Sequence, residues 1–100
     1  MQPNMRMMQQ MQNRMAKIQE ELGQTMVTGS AGGGVVTVEV TGLQELKAIK
    51  LSAEVVDPED VETLEDLLVV AVNDAMDKAK ELSSQKFGAL TGGMKIPGLF

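Results

Sequence analysis

Between Leu64 and Ser83 apolar residues recur at Leu64, Leu68, Ala71, Ala75, Ala79 and Leu82, and Leu67, Val72 and Met76 widen the stripe. This three-and-four spacing predicts an amphipathic helix, with Glu65, Asp66, Asp74, Asp77 and Lys78 on its opposite face. Asp57 is placed to cap it, Pro58 suits a first turn, and Glu59, Asp60 and Glu62 complement the positive end of the helix dipole. No Gly or Pro interrupts the chain from Glu59 to Phe87. A helix over that stretch measures about 40 Å at 1.5 Å per residue, so part of it is expected to project from a small domain.

The N-terminal stretch has the same period but different residues. Met8, Met11, Met15, Ile18 and Leu22 alternate three and four apart, Met1 falls on the same seam, and Met5 lies beside it. The pattern predicts a first helix over residues 1–22, with Pro3 near its start and Gly23 as its stop. Such a stripe reads first as packing against another helix. The second reading is an adaptable methionine surface that takes a ligand or partner.

From residue 24 the period drops to two. Val36, Val38 and Val40 alternate with Thr37, Glu39 and Thr41, which marks a strand. Met26-Val27-Thr28 before it and Leu46 to Leu51 after it supply two more strands. Gly32-Gly33-Gly34 forms the first connection and a tight turn near Gly42 the second, giving an antiparallel meander. With apolar residues expected on both sheet faces, the helices would cover one and a second subunit the other. The glycine-rich stretch from Gly88 to Phe100 has neither period and reads as a mobile tail, leaving one domain over 1–87 and a tail over 88–100.

Charge changes this picture more than composition does. The net charge of −5 is unequally spread, with +3 over residues 1–19, −11 over 20–77 and +3 over 78–100. Two basic ends flank an acidic middle. Two Phe and no Trp or Tyr leave little to stack on single-stranded bases. The absence of Cys and His removes disulfides, thiolate chemistry and Ser–His or Cys–His catalysis, and disfavours zinc. The glycine cluster lacks the Lys-Ser/Thr and following helix of a phosphate loop. The acids Glu54, Asp57, Glu59, Asp60 and Glu62 lack the glycine and spacing of a calcium loop, and read as a solvated helix start. No carboxylate sits in the apolar setting a hydrolase needs. The longest apolar run, Leu67 to Val72, is too short to span a bilayer, and no signal peptide is visible, so a soluble, cytoplasmic protein is expected.

Several strings resemble the YbaB/EbfC family of bacterial nucleoid-associated proteins. They are Met11-Gln12 through Glu20-Glu21-Leu22, Val27-Thr28-Gly29 and Ala31-Gly32-Gly33-Gly34, then Leu64-Glu65-Asp66-Leu67 and Ala71-Val72-Asn73-Asp74-Ala75. The tail adds Leu90-Thr91-Gly92-Gly93-Met94 and Pro97-Gly98. The run around Asn73-Asp74-Ala75 combined with the glycine cluster is the specific part. The resemblance covers nearly the whole chain and implies a small, tweezer-shaped homodimer that binds DNA in the nucleoid. The chain departs from the family in one respect: only Arg6, Arg14 and Lys17 are cations in its first helix, where a more Lys-rich helix is expected.

The expected fold is therefore α+β: N-terminal helix, three-stranded antiparallel sheet, long C-terminal helix. Val36, Val38, Val40, Ile49 and Leu51 are the expected dimer interface. If the two helices pair antiparallel, Arg6, Arg14, Lys17, Lys78, Lys80 and Lys86 gather at one basic tip and contact the phosphates of double-stranded DNA. No cofactor, metal, small-molecule substrate or membrane partner is expected, and no catalysis. The alternative is a protein-interaction module that grips its partner with the Met-rich helix and tail.

Overall fold

A computed structural model describes residues 5–90 as helix α1 (Met5–Gln24), strands β1 (Met26–Ala31), β2 (Val36–Thr41) and β3 (Leu46–Leu51), and helix α2 (Val61–Leu90). The sheet is antiparallel with order β1-β2-β3. Gly32, Gly33 and Gly34 join β1 to β2 with φ of 62, 72 and 99°, backbone that an L side chain enters only at a cost. In the second turn the positive φ falls on Gln44, at 64°, and not on Gly42. Gln44 holds that conformation while its amide Nε2 donates to the Met76 carbonyl oxygen of α2 at 3.1 Å. Gly42 serves close approach instead. Its N–H donates to the Leu22 carbonyl at 2.9 Å, and a Cβ there would stand 2.8 Å from the Leu22 side chain.

Register decides which face is apolar. Val38 lies opposite both Gly29 and Ile49, so Val27, Gly29 and Ala31 of β1 share a face with Val36, Val38 and Val40 and with Leu46, Ile49 and Leu51. The other face presents Thr28, Ser30, Thr37, Glu39 and Lys50. The expectation of two apolar faces is thus corrected: only one needs cover, and α2 lies across it. Ala71, Ala75 and Ala79 of α2 are fully buried against Val36, Val38 and Val40, which are themselves fully buried. Each of these valines contributes about 1.5–3 kcal/mol by leaving water. Because the chain's own helix covers them, Val36, Val38 and Val40 are core residues and not the dimer interface expected for them.

Helix α2 covers β1 and β2 but leaves β3 at the margin. Leu46, Ile49 and Leu51 keep more than two-fifths of their surface exposed. Beside them, Ile49, Leu68, Val69, Val72 and Asn73 line an open apolar groove.

Two boundaries differ from the sequence expectation. Helix α2 begins at Val61, capped by Asp60, whose carboxylate accepts from the Thr63 N–H at 3.4 Å and the Thr63 hydroxyl at 2.7 Å. Asp57 caps a preceding turn, accepting from the Glu59 N–H at 2.9 Å, because Pro58 and Glu59 form a turn before the helix is entered. At the other end α2 includes Gly88, Ala89 and Leu90, so the domain extends past 87. Residues 91–100 of the expected mobile tail lie outside the described residues.

Candidate nucleic-acid interface

The basic segments are carried by two helices that meet end over end. Lys86 Nζ of α2 lies 3.9 Å from Glu21 Oε2 of α1. Leu22, one residue on, is fully buried, Ile18 is half-buried, and every residue from Met5 to Lys17 is exposed. The described structure measures 67 × 25 × 16 Å. Helix α1 is about 30 Å long and α2 about 45 Å, so neither fits across the short directions. Only an α1 that runs antiparallel to α2 and continues outward past its end fills the long dimension. The result is an arm: α1 overlaps α2 between Ile18 and Leu22 and, among the described residues, projects past the end of α2 from Lys17 to Met5.

This geometry divides the six expected DNA-contacting cations. Arg6, Arg14 and Lys17 lie on the projecting part of the arm and make no ion pair with another described residue. Arg6 and Lys17 stand three turns apart on one line of the helix, about 16 Å from each other, with Arg14 flanking them. Lys86 lies where α1 meets the body, paired with Glu21. Lys78 and Lys80 flank Ala79, where α2 is still packed on the sheet. Counted through the Glu21–Lys86 contact, Lys78 is about 35 Å from Arg6 along the axis. The single basic tip is therefore corrected to a row of cations along the arm, because the helices overlap by little more than one turn.

Lys78 also has a local partner. Its ammonium lies 3.1 Å from Asp74 Oδ2, and the same oxygen accepts from the Ser30 backbone N–H at 3.0 Å. The hydrogen bond from Ser30, followed by that from Lys78, holds the Asp74 carboxyl below its ordinary pKa. Asp74 thus fastens β1 to α2, a role invisible in the helix pattern, which placed it on the solvent face. A depressed carboxylate stabilises the fold above its unfolded pKa, and that stabilisation is lost as pH falls through the folded value. The stability difference between the native chain and Asp74→Asn should be constant at neutral pH and shrink below about pH 4. Urea midpoints at pH 7, 5 and 3 measure it, and a difference that grows on acidification would contradict the assignment.

The body is the opposite of the arm. Glu54, Asp57, Glu59, Asp60, Glu62, Glu65 and Asp66 crowd the entry to α2, at the far end of the molecule from Arg6. Phosphate approaching the body meets like charge, while phosphate approaching the projecting part of α1 meets cations, amides and methionines and no acid. Among the described residues no group of His, Cys, Asp and Glu could hold a metal ion, and no helix is long and apolar enough to cross a membrane.

The sequence pattern of the YbaB/EbfC DNA-binding family matches residues 1–94. The chain belongs to that family. Among relatives of the YbaB/EbfC chain, a nucleoid-associated protein of Chloroflexus aurantiacus is 55% identical over 96 residues, covering 96% of this chain and 94% of its own. Another nucleoid-associated protein, from a Roseiflexus species, is 58% identical over 92 residues, covering 92% and 91%. The crystal structure of an uncharacterized protein from Helicobacter pylori matches this YbaB/EbfC fold with a TM-score of 0.78 at 26% identity, over 86% of this chain and 90% of that one. The helix–meander–helix architecture is thus shared with a solved structure at low sequence identity.

Proposed function

We propose that this YbaB/EbfC protein is a nucleoid-associated, DNA-binding architectural protein that holds duplex phosphates with its α1 arms, as a homodimer, in the cytoplasm. One observation carries the reading: Met5 to Lys17 project into solvent with no acid and with three cations that pair with no other described residue, from a body that is acidic. Contacts of this kind fix position on DNA without specifying sequence. Four to eight neutralised phosphates per dimer give a log–log salt slope of about −4 to −7. Gel-shift titrations at two or more salt concentrations measure the slope. A flat salt response would instead favour the protein-interaction reading, to which the exposed methionines of α1 also lend themselves. Competing duplexes of unrelated sequence should displace a bound probe nearly equally. A preference of about 1,000-fold or more would mark a specific reader and overturn this view of the contact.

An uncovered apolar strip supports the reading of a homodimer. The uncovered row of Leu46, Ile49 and Leu51, continued by the groove against Val69 and Val72, is an apolar strip at the edge of the sheet. Of the expected interface residues, Ile49 and Leu51 remain available there. A second copy seated on this strip would carry a second arm and make the tweezer. Ile49→Asp should sediment as a monomer while keeping its helical circular dichroism, and should bind DNA more weakly because the second arm is gone. A folded Ile49→Asp protein that still sediments as the native dimer would place the interface elsewhere. Val38→Asp cannot make this test, because it buries a charge in the protomer core.

A further inference from the structure

Five of the nine methionines stand on α1, at Met5, Met7, Met8, Met11 and Met15, and each keeps more than two-fifths of its surface exposed. The apolar seam of the helix changes residue type where its cover changes. Ile18 and Leu22 fill the part that packs on the body, and Met8, Met11 and Met15 fill the exposed part. Their spacing brings the thioethers together. Met8 and Met11 are three residues apart, and Met7 and Met15 each stand four from Met11, on either side of it. Helical residues so spaced have Cβ atoms about 5–6 Å apart. Each sulfur hangs on three rotatable bonds, so neighbouring sulfurs can turn toward one point. Met5, three residues before Met8, lines a shallow depression with Met8, Gln9 and Gln12.

What such a cluster attracts follows from its surroundings. Residues 1–19 contain no acid, and the chain contains no Cys or His. Magnesium or calcium finds no carboxylate there, and zinc finds no thiolate, imidazole or carboxylate. Thioether sulfur is uncharged, soft and polarizable, and it selects copper(I) and ions like it. The cations of the arm repel hard and soft ions alike, but only a soft ion gains bonds to sulfur in exchange. Arg6 and Lys17 moreover lie on the side of the helix away from the Met8–Met11 pair. We infer that Met8 and Met11 form a binding site for a soft monovalent cation of the copper(I) type, with Met7 and Met15 in reach as a third ligand. The site lies across the helix from Arg6 and Lys17, so the inference does not rest on how DNA is bound.

The chain has no cysteine or histidine to compete for a soft ion, so the methionines report it cleanly. The probe is silver(I) nitrate in chloride-free buffer, which has the charge and softness of copper(I) without its redox chemistry. In the full-length chain with isotope-labelled methionine methyl groups, one equivalent of silver(I) should shift the resonances of Met8 and Met11. Those of Met26 and Met76 should stay in place, and magnesium and zinc should shift none of the four. In Met8→Leu with Met11→Leu, leucine keeps the apolar seam and the helix but removes both sulfurs. Silver(I) affinity, read by competition titration, should fall severalfold in that variant and hold its native value in Met26→Leu. Equal shifts at Met8 and Met26, or native affinity in the double variant, would overturn the inference. Oxidation gives a second readout. Bound silver(I) should slow the conversion of Met8 and Met11 to sulfoxides by hydrogen peroxide severalfold, because the ion holds the sulfur lone pair that would take the oxygen, while Met26 keeps its rate. Unprotected Met8 and Met11 would refute the site.

Discussion

Gly29→Ala is expected to be the most damaging single-atom change in this chain, costing about 3 kcal/mol or more of folding stability. Strand β1 passes α2 at Gly29 with backbone against backbone. A Cβ added there would lie 2.6 Å from the Ala71 carbonyl oxygen and 2.7 Å from Ala75 Cα, and closer still to the Ala75 nitrogen. Backbone atoms cannot rotate aside as a side chain can. The strand would have to lift off the helix, prising Val38 away from Ala71 and Ala75 and stretching the Ser30–Asp74 hydrogen bond. The natural comparison is Gly33→Ala. Gly33 has φ of 72° but nothing within 4 Å of an added Cβ, so only backbone strain of about 1–2 kcal/mol is expected. Urea denaturation of both variants at one protein concentration tests the ordering. With a slope of about 1.5 kcal/mol per M for a chain this small, Gly29→Ala should lower the midpoint by about 2 M or show no cooperative transition. A Gly33→Ala protein less stable than Gly29→Ala would mean that the β1–α2 crossing is looser than described.

The triple substitution Arg6→Gln, Arg14→Gln and Lys17→Gln should abolish most DNA binding without touching the fold. All three side chains are on exposed residues beyond the helix overlap, so their removal opens no cavity and orphans no described partner. Every phosphate left without its cation flattens the log–log salt slope by about 0.9, so the six cations lost from the two arms of a dimer flatten it by up to about 5. Affinity near physiological salt should fall at least about tenfold for the same reason. Lys78→Ala with Lys80→Ala should do less, because Lys78 is already shared with Asp74 and both lie at the base of the arm. Lys47→Ala with Lys50→Ala, on β3 at the body, should do less again. If the β3 pair proves the most damaging, DNA lies across the sheet and the arm is not what holds it.

The order of elements was legible because each has a plain period. Val36, Val38 and Val40 alternate with polar residues as a half-buried strand does, and the Gly32-Gly33-Gly34 run lacks the neighbours of a phosphate loop and reads as a turn. The single apolar face of the whole sheet follows only from the register. The partner of that apolar face was not legible. Ala71, Ala75 and Ala79 look like a weak stripe in sequence, because alanine carries little apolar surface. Their smallness is what lets β1 come within backbone contact at Gly29 and makes them the centre of the core. The value of a stripe depends on how closely its neighbour approaches, which period alone does not state. The cation row failed as a single tip for a related reason. Sequence supplies the antiparallel sense of the helices but not their overlap, and the overlap is set by Leu22 seating against Gly42, a contact between residues far apart in the chain. Asp60 displaced Asp57 as the cap because Pro58 starts a turn as readily as a helix, and either acid satisfies the rule.

The small overlap between α1 and α2 separates two properties that most domains bind together. Folding depends on Leu22, Gly29 and the alanine face, all within the body. Reach depends only on how many residues precede Ile18. An arm of this design can be lengthened or shortened by whole turns, about 5.4 Å at a time, without repacking any buried side chain. The distance between the end of the arm and the sheet is therefore an adjustable dimension of the molecule, open to the designer.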